Sequence, residues 1–102
     1  MKFLITERAI VPRLPEDAKE REKVITAHYE YLKKLSNQGK IQFYSFIGIP
    51  GGIVIVDVKS HVELDKLMMT FPRFNFSNYE VIPLLTVDEA LDCLYAIYPR
   101  KK

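Results

Sequence analysis

Two side chains of this sequence, Glu7 and His28, have the chemistry that proton transfer requires. An imidazole has an unperturbed pKa of about 6.5, so His28 can take or give a proton at neutral pH. Each residue also has a plainer explanation. His28 can be a core-edge histidine bonded to a backbone carbonyl or a tyrosine, and Glu7 can border a polar cavity or pair with a nearby Arg or Lys. We take both as candidate catalytic residues.

A second group of polar side chains has the chemistry to contact a substrate. Arg73 and Asn75 lie in a segment that could close a pocket, although the phenylalanines around them can instead anchor this segment to a partner subunit. The tyrosines supply phenolic donors or pack at an interface. Ser45 has no Asp–His arrangement near it in the sequence, so it is not predicted to be a nucleophile. The candidate substrate-binding residues are Tyr31, Tyr44, Ser45, Arg73 and Tyr79.

The sequence lacks the residue patterns of common metal and cofactor sites. One cysteine and two histidines are too few for a typical structural zinc site. No glycine-rich phosphate loop is present. Cys93 lies in an apolar helical stretch and is predicted to be a small buried residue rather than a nucleophile. We therefore expect neither a cofactor nor a metal.

Composition is typical of one soluble globular domain spanning residues 1–102, with 48% hydrophobic and 27% charged residues. No apolar run approaches the roughly 18 residues that a membrane helix needs. Glu7 and Arg8 occur too early for a secretory signal. A lone cysteine is typical of a reducing compartment, so we expect a cytoplasmic protein with no membrane partner.

The net charge of +2 comes from the tail at residues 99–102, because the chain without Arg100, Lys101 and Lys102 has 12 basic and 13 acidic residues. Such a tail is predicted to be a solvated end. The third predicted strand, at residues 53–58, carries none of the aromatic side chains that stack bases on RNA-binding sheets. We therefore expect no nucleic-acid partner.

Hydrophobic periodicity predicts the elements that must position the candidate residues. Alternating residues indicate strands, and spacings of three and four indicate helices. Ser60 with Glu63, and Thr86 with Glu89, form the sequence pattern of a capping box at the start of a helix. The predicted strands are residues 2–11, 40–48, 53–58 and 78–85, and the predicted helices are residues 16–38, a helix from Ser60 that ends before Pro72, and residues 86–98.

This order is the split βαβ pattern of an α+β ferredoxin-like domain, with a core at residues 2–85 and an extra C-terminal helix. Both faces of its four-stranded antiparallel sheet are apolar. Ile53 and Ile55 lie on one side of the third strand, and Val54 and Val56 lie on the other. Two helices cover one face only, so the uncovered face favours a two-fold dimer in which a second sheet packs on it.

Residues 67–76 read LMMTFPRFNF and residues 79–84 read YEVIPL. This resembles the pattern of the muconolactone isomerase family, a helix ending in "LM…LPLFPY" before a strand of the "EV…L" kind. The resemblance covers residues 2–85. It implies a ferredoxin-like dimeric α+β barrel in a homodimer or larger homo-oligomer. It also implies a cofactor-free enzyme that moves a proton to shift a double bond in a lactone. The matching segments are residues 67–76 and 79–84, with residues 3–15, 56–60 and the end of the long helix at Leu35 and Gly39.

The chain also departs from that family. Its members carry a Trp-Arg pair on the second strand, where this sequence has Tyr44-Ser45. Their acidic residues in the first helix are replaced around His28, with Glu30 retained. The expected function is therefore an isomerase-like enzyme acting on a small organic molecule of unspecified identity. The alternative is a non-catalytic ligand-binding or oligomerisation domain. A wet pocket holding His28 and Glu7 would favour the enzyme, and a dry packed interior would favour the alternative.

Overall fold

A computed structural model describes residues 1–98, and the predicted basic tail at residues 99–102 lies outside the described residues. The predicted order of strands and helices is confirmed, and the fold is α+β and ferredoxin-like. The elements are β1 (Lys2–Ala9), α1 (Ala18–Asn37), β2 (Ile41–Ser45), β3 (Gly51–Asp57), α2 (His61–Met69), β4 (Ser77–Leu84) and α3 (Val87–Ile97), with short 3-10 turns at Val11–Arg13 and Phe74–Phe76.

The four strands form one antiparallel sheet in the order β2-β3-β1-β4. Because side chains alternate along a strand, one face carries Phe3, Ile5 and Glu7 of β1, and α1 and α2 cover this face. The apolar core lies between the sheet and these two helices. Its buried members are Phe3, Ile5, Leu32, Leu35, Ile41, Val54, Val56, Val58, Leu64, Met68 and Phe71.

The hairpin of β2 and β3 differs from its predicted bounds. β2 ends at Ser45 rather than at residue 48, and β3 begins at Gly51 rather than at residue 53. The cause is the close pairing of Gly51 with Arg8 and of Gly52 with Glu7. Gly51 has a φ of 156°, and a Cβ atom there would collide with the Glu7 carbonyl group, so this position requires glycine.

Polar caps define where the helices begin. Asp17 caps α1 by accepting a hydrogen bond of 3.0 Å from the Glu20 amide. Both halves of the predicted capping box are present at Thr86. At Ser60 only one half is present, because the Glu63 carboxylate accepts from the amide of Lys59 instead of that of Ser60. That part of the prediction is wrong.

The sheet face away from the helices, which we call the open face, is apolar at its centre. This apolar centre consists of Leu4, Ile53, Ile55, Ile82 and Leu84, and the Ile82 residue is 42% exposed. None of these side chains belongs to the buried core. The open face is therefore available to a second molecule.

Helix α3 extends the chain beyond the sheet with its apolar side chains exposed, among them Leu94 at 50% and Ile97 at 69%. Cys93 is exposed as well, so its predicted burial is wrong. None of the helices within residues 1–98 has the length and apolar sequence needed to cross a bilayer. That described part also holds no cluster of three or more His, Cys, Asp or Glu side chains suited to a metal ion.

The two caps predict different consequences for Ser60→Ala and Thr86→Ala. Loss of the Ser60 cap should lower the free energy of unfolding by about 0.5–2 kcal/mol, because α2 is packed into the core. Loss of the Thr86 cap should fray α3 while leaving global stability nearly unchanged. Urea denaturation measures the first effect and amide hydrogen exchange the second. Equal global destabilisation by both variants would contradict this separation.

Candidate functional site

The buried polar side chains of residues 1–98 fall in one place. They are Glu7, His28, Arg73 and Ser77, exposed to between 1% and 9%. We call these four residues the Glu7 cluster. It lies between α1 and the sheet, at the end where β1 pairs with the glycines of β3. A buried charge is costly unless it is paired, so this concentration marks the candidate site.

Four different segments bring the cluster together. The alternation of β1 turns Glu7 inward, and the buried stripe of α1 turns His28 toward it. Ser77 is the first residue of β4, opposite Ala9 of β1. Arg73 follows α2 in a turn that is fixed by backbone bonds at Phe71 and Phe76.

The Glu7 carboxylate accepts hydrogen bonds from two other members of the cluster. The guanidinium of Arg73 donates from Nε to Oε2 at 2.8 Å and from Nη2 to Oε1 at 2.7 Å. The Ser77 hydroxyl donates to Oε2 at 2.6 Å. This bidentate geometry is the strongest way to pair arginine with a carboxylate. It accounts for the burial of both charges.

His28 joins the cluster through both ring nitrogens. Its Nδ1 accepts a hydrogen bond of 3.3 Å from the backbone N–H of Arg73. Because Nδ1 is the acceptor, a neutral imidazole carries its proton on Nε2. Nε2 faces Oε1 of Glu7 at 3.5 Å. His28 therefore supports the carboxylate as a donor in this arrangement.

These contacts control the charge of Glu7. Burial alone would raise the pKa of Glu7, but hydrogen bonds from His28, Arg73 and Ser77 outweigh it and lower the pKa from 4.5 to about 2. Burial likewise opposes the charge of Arg73, and the Glu7 carboxylate reverses this and raises the pKa of Arg73. Both groups are ionised at neutral pH and neutralise each other.

Tyr79 adds an unsatisfied donor beside this pair. It lies opposite Glu7 in the β1–β4 pairing, and its ring stacks on Phe74 with 5.7 Å between centroids. Its hydroxyl is buried and has no hydrogen-bond partner among residues 1–98. The Ser77 hydroxyl lies close enough to lower the pKa of Tyr79, but the two hydroxyl groups do not meet the geometry of a hydrogen bond. Burial and the negative charge of Glu7 raise the pKa of Tyr79, so the phenol keeps its proton.

Tyr29 and Ser45 form the side of the cluster that is nearer to solvent. The Tyr29 ring lies 5.2 Å from the Arg73 guanidinium carbon, a cation–π contact. Its hydroxyl and the exposed Ser45 hydroxyl are 3.3 Å apart. This hydrogen bond is long and exposed to solvent.

The structure brings together four of the sequence-predicted residues: Glu7, His28, Arg73 and Tyr79. Ser45 lies at their margin. Tyr31 bonds to the Thr70 hydroxyl at 2.7 Å, outside the cluster. Tyr44 is 61% exposed and lies on the opposite sheet face, because it alternates with Ser45.

One further expectation changes. Phe71 is 3% exposed within its own core, so the prediction that it anchors the loop to a partner is wrong. A groove of about 1040 Å³ at the far end of the sheet, lined by Lys40, Lys66 and Leu84 among others, contains no member of the Glu7 cluster.

Sequence reasoning missed Ser77 and the position of Tyr29. The predicted fourth strand began at residue 78, so Ser77 was excluded from it. Had the strand begun one residue earlier, its alternation would have placed Ser77 on the same face as Tyr79. Tyr29 was available only as one of several tyrosines, and its contact with Arg73 depends on a loop that periodicity does not describe.

Comparisons with known proteins agree on one family. The family model for muconolactone delta-isomerase matches residues 1–89. A muconolactone delta-isomerase of Rhodococcus opacus is 32% identical over 69 residues, which are 67% of this chain and 74% of that protein. A crystal structure of muconolactone isomerase superposes with a TM-score of 0.74 and 21% identity, covering 84% of this chain and 90% of the other. At that identity, this last likeness shows the fold alone.

The depressed pKa of Glu7 predicts a specific pH dependence of stability. Because the pKa is lower in the folded state than the ordinary 4.5, Glu7 contributes stability above pH 4.5 that is lost as the pH falls toward 2. The contribution is about 3 kcal/mol. Carboxyl ¹³C titration by NMR should give a Glu7 midpoint near 2. A midpoint near 4.5 would show that the cluster does not form in solution.

Proposed function

The chain belongs to the muconolactone delta-isomerase family, and from this premise we propose that it is a cofactor-free isomerase that shifts a double bond in a small unsaturated lactone. The observation that carries the proposal is the Glu7 cluster. It holds a buried, ionised carboxylate that accepts hydrogen bonds from Arg73 and Ser77 and faces His28 at 3.5 Å, between α1 and the sheet. Buried charges with shifted pKa values concentrate at functional sites.

The proposed reaction needs one group that takes a proton and returns it. Glu7 removes the ring proton γ to the lactone carbonyl, and the electrons of that C–H bond delocalise onto the carbonyl oxygen. The proton on the carboxyl exchanges with solvent, the carboxyl delivers a proton to the α carbon, and the double bond has moved. In this scheme Glu7 is the catalytic residue and His28 is a positioning residue.

The pKa of about 2 makes Glu7 a weak base in the closed cluster. Turnover therefore requires the entering ligand to displace the hydrogen bond from Ser77, which raises the pKa of Glu7 while Arg73 stays paired. The 3.3 Å bond between Tyr29 and Ser45 is where such entry disturbs the fewest contacts. A desolvated carboxylate released from its donors is a stronger base.

A second candidate function is a non-catalytic oligomerisation domain. One observation favours it: Glu7, His28 and Arg73 are each no more than 2% exposed and bond to one another. In this alternative the cluster only joins β1, α1 and the turn after α2. The two functions differ in whether a lactone exchanges protons in the presence of the protein.

Isomerase activity predicts protein-dependent deuterium incorporation into an unsaturated lactone in D₂O. The substrates are β-angelica lactone, a neutral five-membered lactone, and muconolactone, the same ring bearing a carboxylate arm. Proton NMR follows the exchange and the double-bond shift. Glu7→Gln should abolish both processes because it removes the proton acceptor. Glu22→Gln is the matched control, since Glu22 is exposed on α1.

Circular dichroism must show that the Glu7→Gln protein is folded before its activity is compared. His28→Gln should slow exchange without abolishing it, because Nε2 only supports the carboxylate. No exchange of either lactone by the unmodified chain would overturn the isomerase proposal and leave the oligomerisation domain.

We also propose that the chain self-associates through the open face. Two sheets that pack face to face lie about 10 Å apart with their apolar side chains interdigitated. The open face presents Leu4, Ile53 and Ile55 at its centre, and all three are only partly buried in the single chain. A second copy supplies the same side chains in return, as a two-fold interface requires.

Sedimentation at micromolar concentration should therefore give at least twice the chain mass of 11.9 kDa. Ile55→Lys should weaken association, because it places a charge at the centre of the open face. Ile47→Lys is the control, since Ile47 is 99% exposed in the connection between β2 and β3. An unmodified chain that sediments as a monomer would refute the proposed interface.

A further inference from the structure

The charge balance of the Glu7 cluster points to a particular class of ligand. We infer that the site accepts an uncharged carbonyl compound, whose oxygen takes a hydrogen bond from Tyr79, and that it disfavours carboxylates. This inference rests on the proposed function, because it names the substrate class of the same site. It depends on three features: a neutralised arginine, an unsatisfied phenol and a buried negative charge.

The positive charge of Arg73 is neutralised by Glu7 and is not available to an anionic ligand. Two of its nitrogens bond to the two oxygens of Glu7, and the Tyr29 ring covers the guanidinium. Among the buried side chains of residues 1–98, Glu7 and Arg73 form an ion pair, and His28 accepts an N–H at Nδ1, which a doubly protonated imidazole cannot do. The cluster as a whole is therefore neutral.

Tyr79 provides the recognition element that the ion pair lacks. Its hydroxyl is buried without a hydrogen-bond partner in the described part of the chain, which is costly for a polar group. The phenol donates one hydrogen bond and stays protonated beside Glu7. A carbonyl oxygen is the complement of this donor. Phe71 and Phe74 contact the same ring and supply apolar surface for the rest of the ligand.

A carboxylate ligand would meet the opposite environment. It would lose its hydration shell and place a second negative charge near Glu7, whose carboxylate already neutralises the Arg73 guanidinium. An unpaired charge in such an environment is strongly disfavoured. A neutral lactone loses much less hydration and satisfies Tyr79.

Binding of two matched lactones to the full chain tests the inference. The probes are β-angelica lactone and muconolactone, which share a ring and differ in the carboxylate arm. Affinities come from NMR titration, with the Tyr79 ring resonances as reporters. We expect the neutral lactone to bind about tenfold tighter or more and to shift these resonances. Equal or tighter binding of muconolactone, or no binding of either lactone, would overturn the inference.

Tyr79→Phe separates a ligand contact from a structural role. Because the hydroxyl has no partner in the described structure, its removal should leave the denaturation midpoint unchanged or raise it. Affinity for β-angelica lactone should fall about three- to tenfold. Tyr98→Phe is the matched control, because Tyr98 is 72% exposed at the end of α3. Unchanged affinity in Tyr79→Phe would contradict the assigned hydrogen bond.

Glu7→Gln gives a second, independent test, because it leaves Arg73 with an uncompensated charge. In folded protein this variant should reverse the preference and bind muconolactone more tightly than the neutral lactone. If Glu7→Gln does not fold, the affinities of Tyr79→Phe and Tyr98→Phe for β-angelica lactone still test the inference. Binding without proton exchange would refute the isomerase proposal while supporting this inference. Proton exchange that is faster with muconolactone than with the neutral lactone would support the isomerase proposal and refute this inference.

Discussion

The buried ion pair between Glu7 and Arg73 is the interaction on which the interior of this protein depends. Removing two charges from water is expensive, and only excellent geometry with further hydrogen bonds compensates for it. Here the compensation comes from Ser77 and from the two-point contact of the guanidinium. Three distant segments are thereby held together: β1, the turn after α2, and the start of β4. His28 adds α1 through the backbone amide of Arg73.

This dependence explains which parts of the structure could be predicted from the sequence. The strands and helices follow from local periodicity, and so does the inward direction of Glu7 and His28. The partner of Glu7 does not, because Arg73 lies in a turn 66 residues away. The prediction left open a polar cavity or pairing with a basic residue, and the structure selects pairing. The shift of β3 to Gly51 also escaped prediction, because the cause is a close contact with β1 rather than a local pattern.

The Glu7–Arg73 pair also shows how this chain differs from the pattern of its family. The resemblance implies acidic residues on the first helix and an arginine on the second strand, where this chain has His28 and Ser45. The acid and the arginine of its interior come instead from β1 and from the turn after α2. The interior therefore keeps a carboxylate and a guanidinium, but they neutralise each other. The Glu7 cluster has no arginine that is free to hold a carboxylate substrate. The chain can therefore share the proposed reaction with its family and still take an uncharged substrate.

If the Glu7–Arg73 pair had a purely structural role, the polar groups around it would all have hydrogen-bond partners. The Tyr79 hydroxyl beside the pair is buried and has none among residues 1–98, although Ser77 lies near it. A phenylalanine at position 79 would stack on Phe74 equally well and would avoid the cost of a buried unpaired hydroxyl. The phenol therefore contributes nothing to the packing that phenylalanine would not. Its hydroxyl gains a partner only when a further acceptor enters the site, and the neutral balance of the cluster determines that this acceptor is an uncharged oxygen.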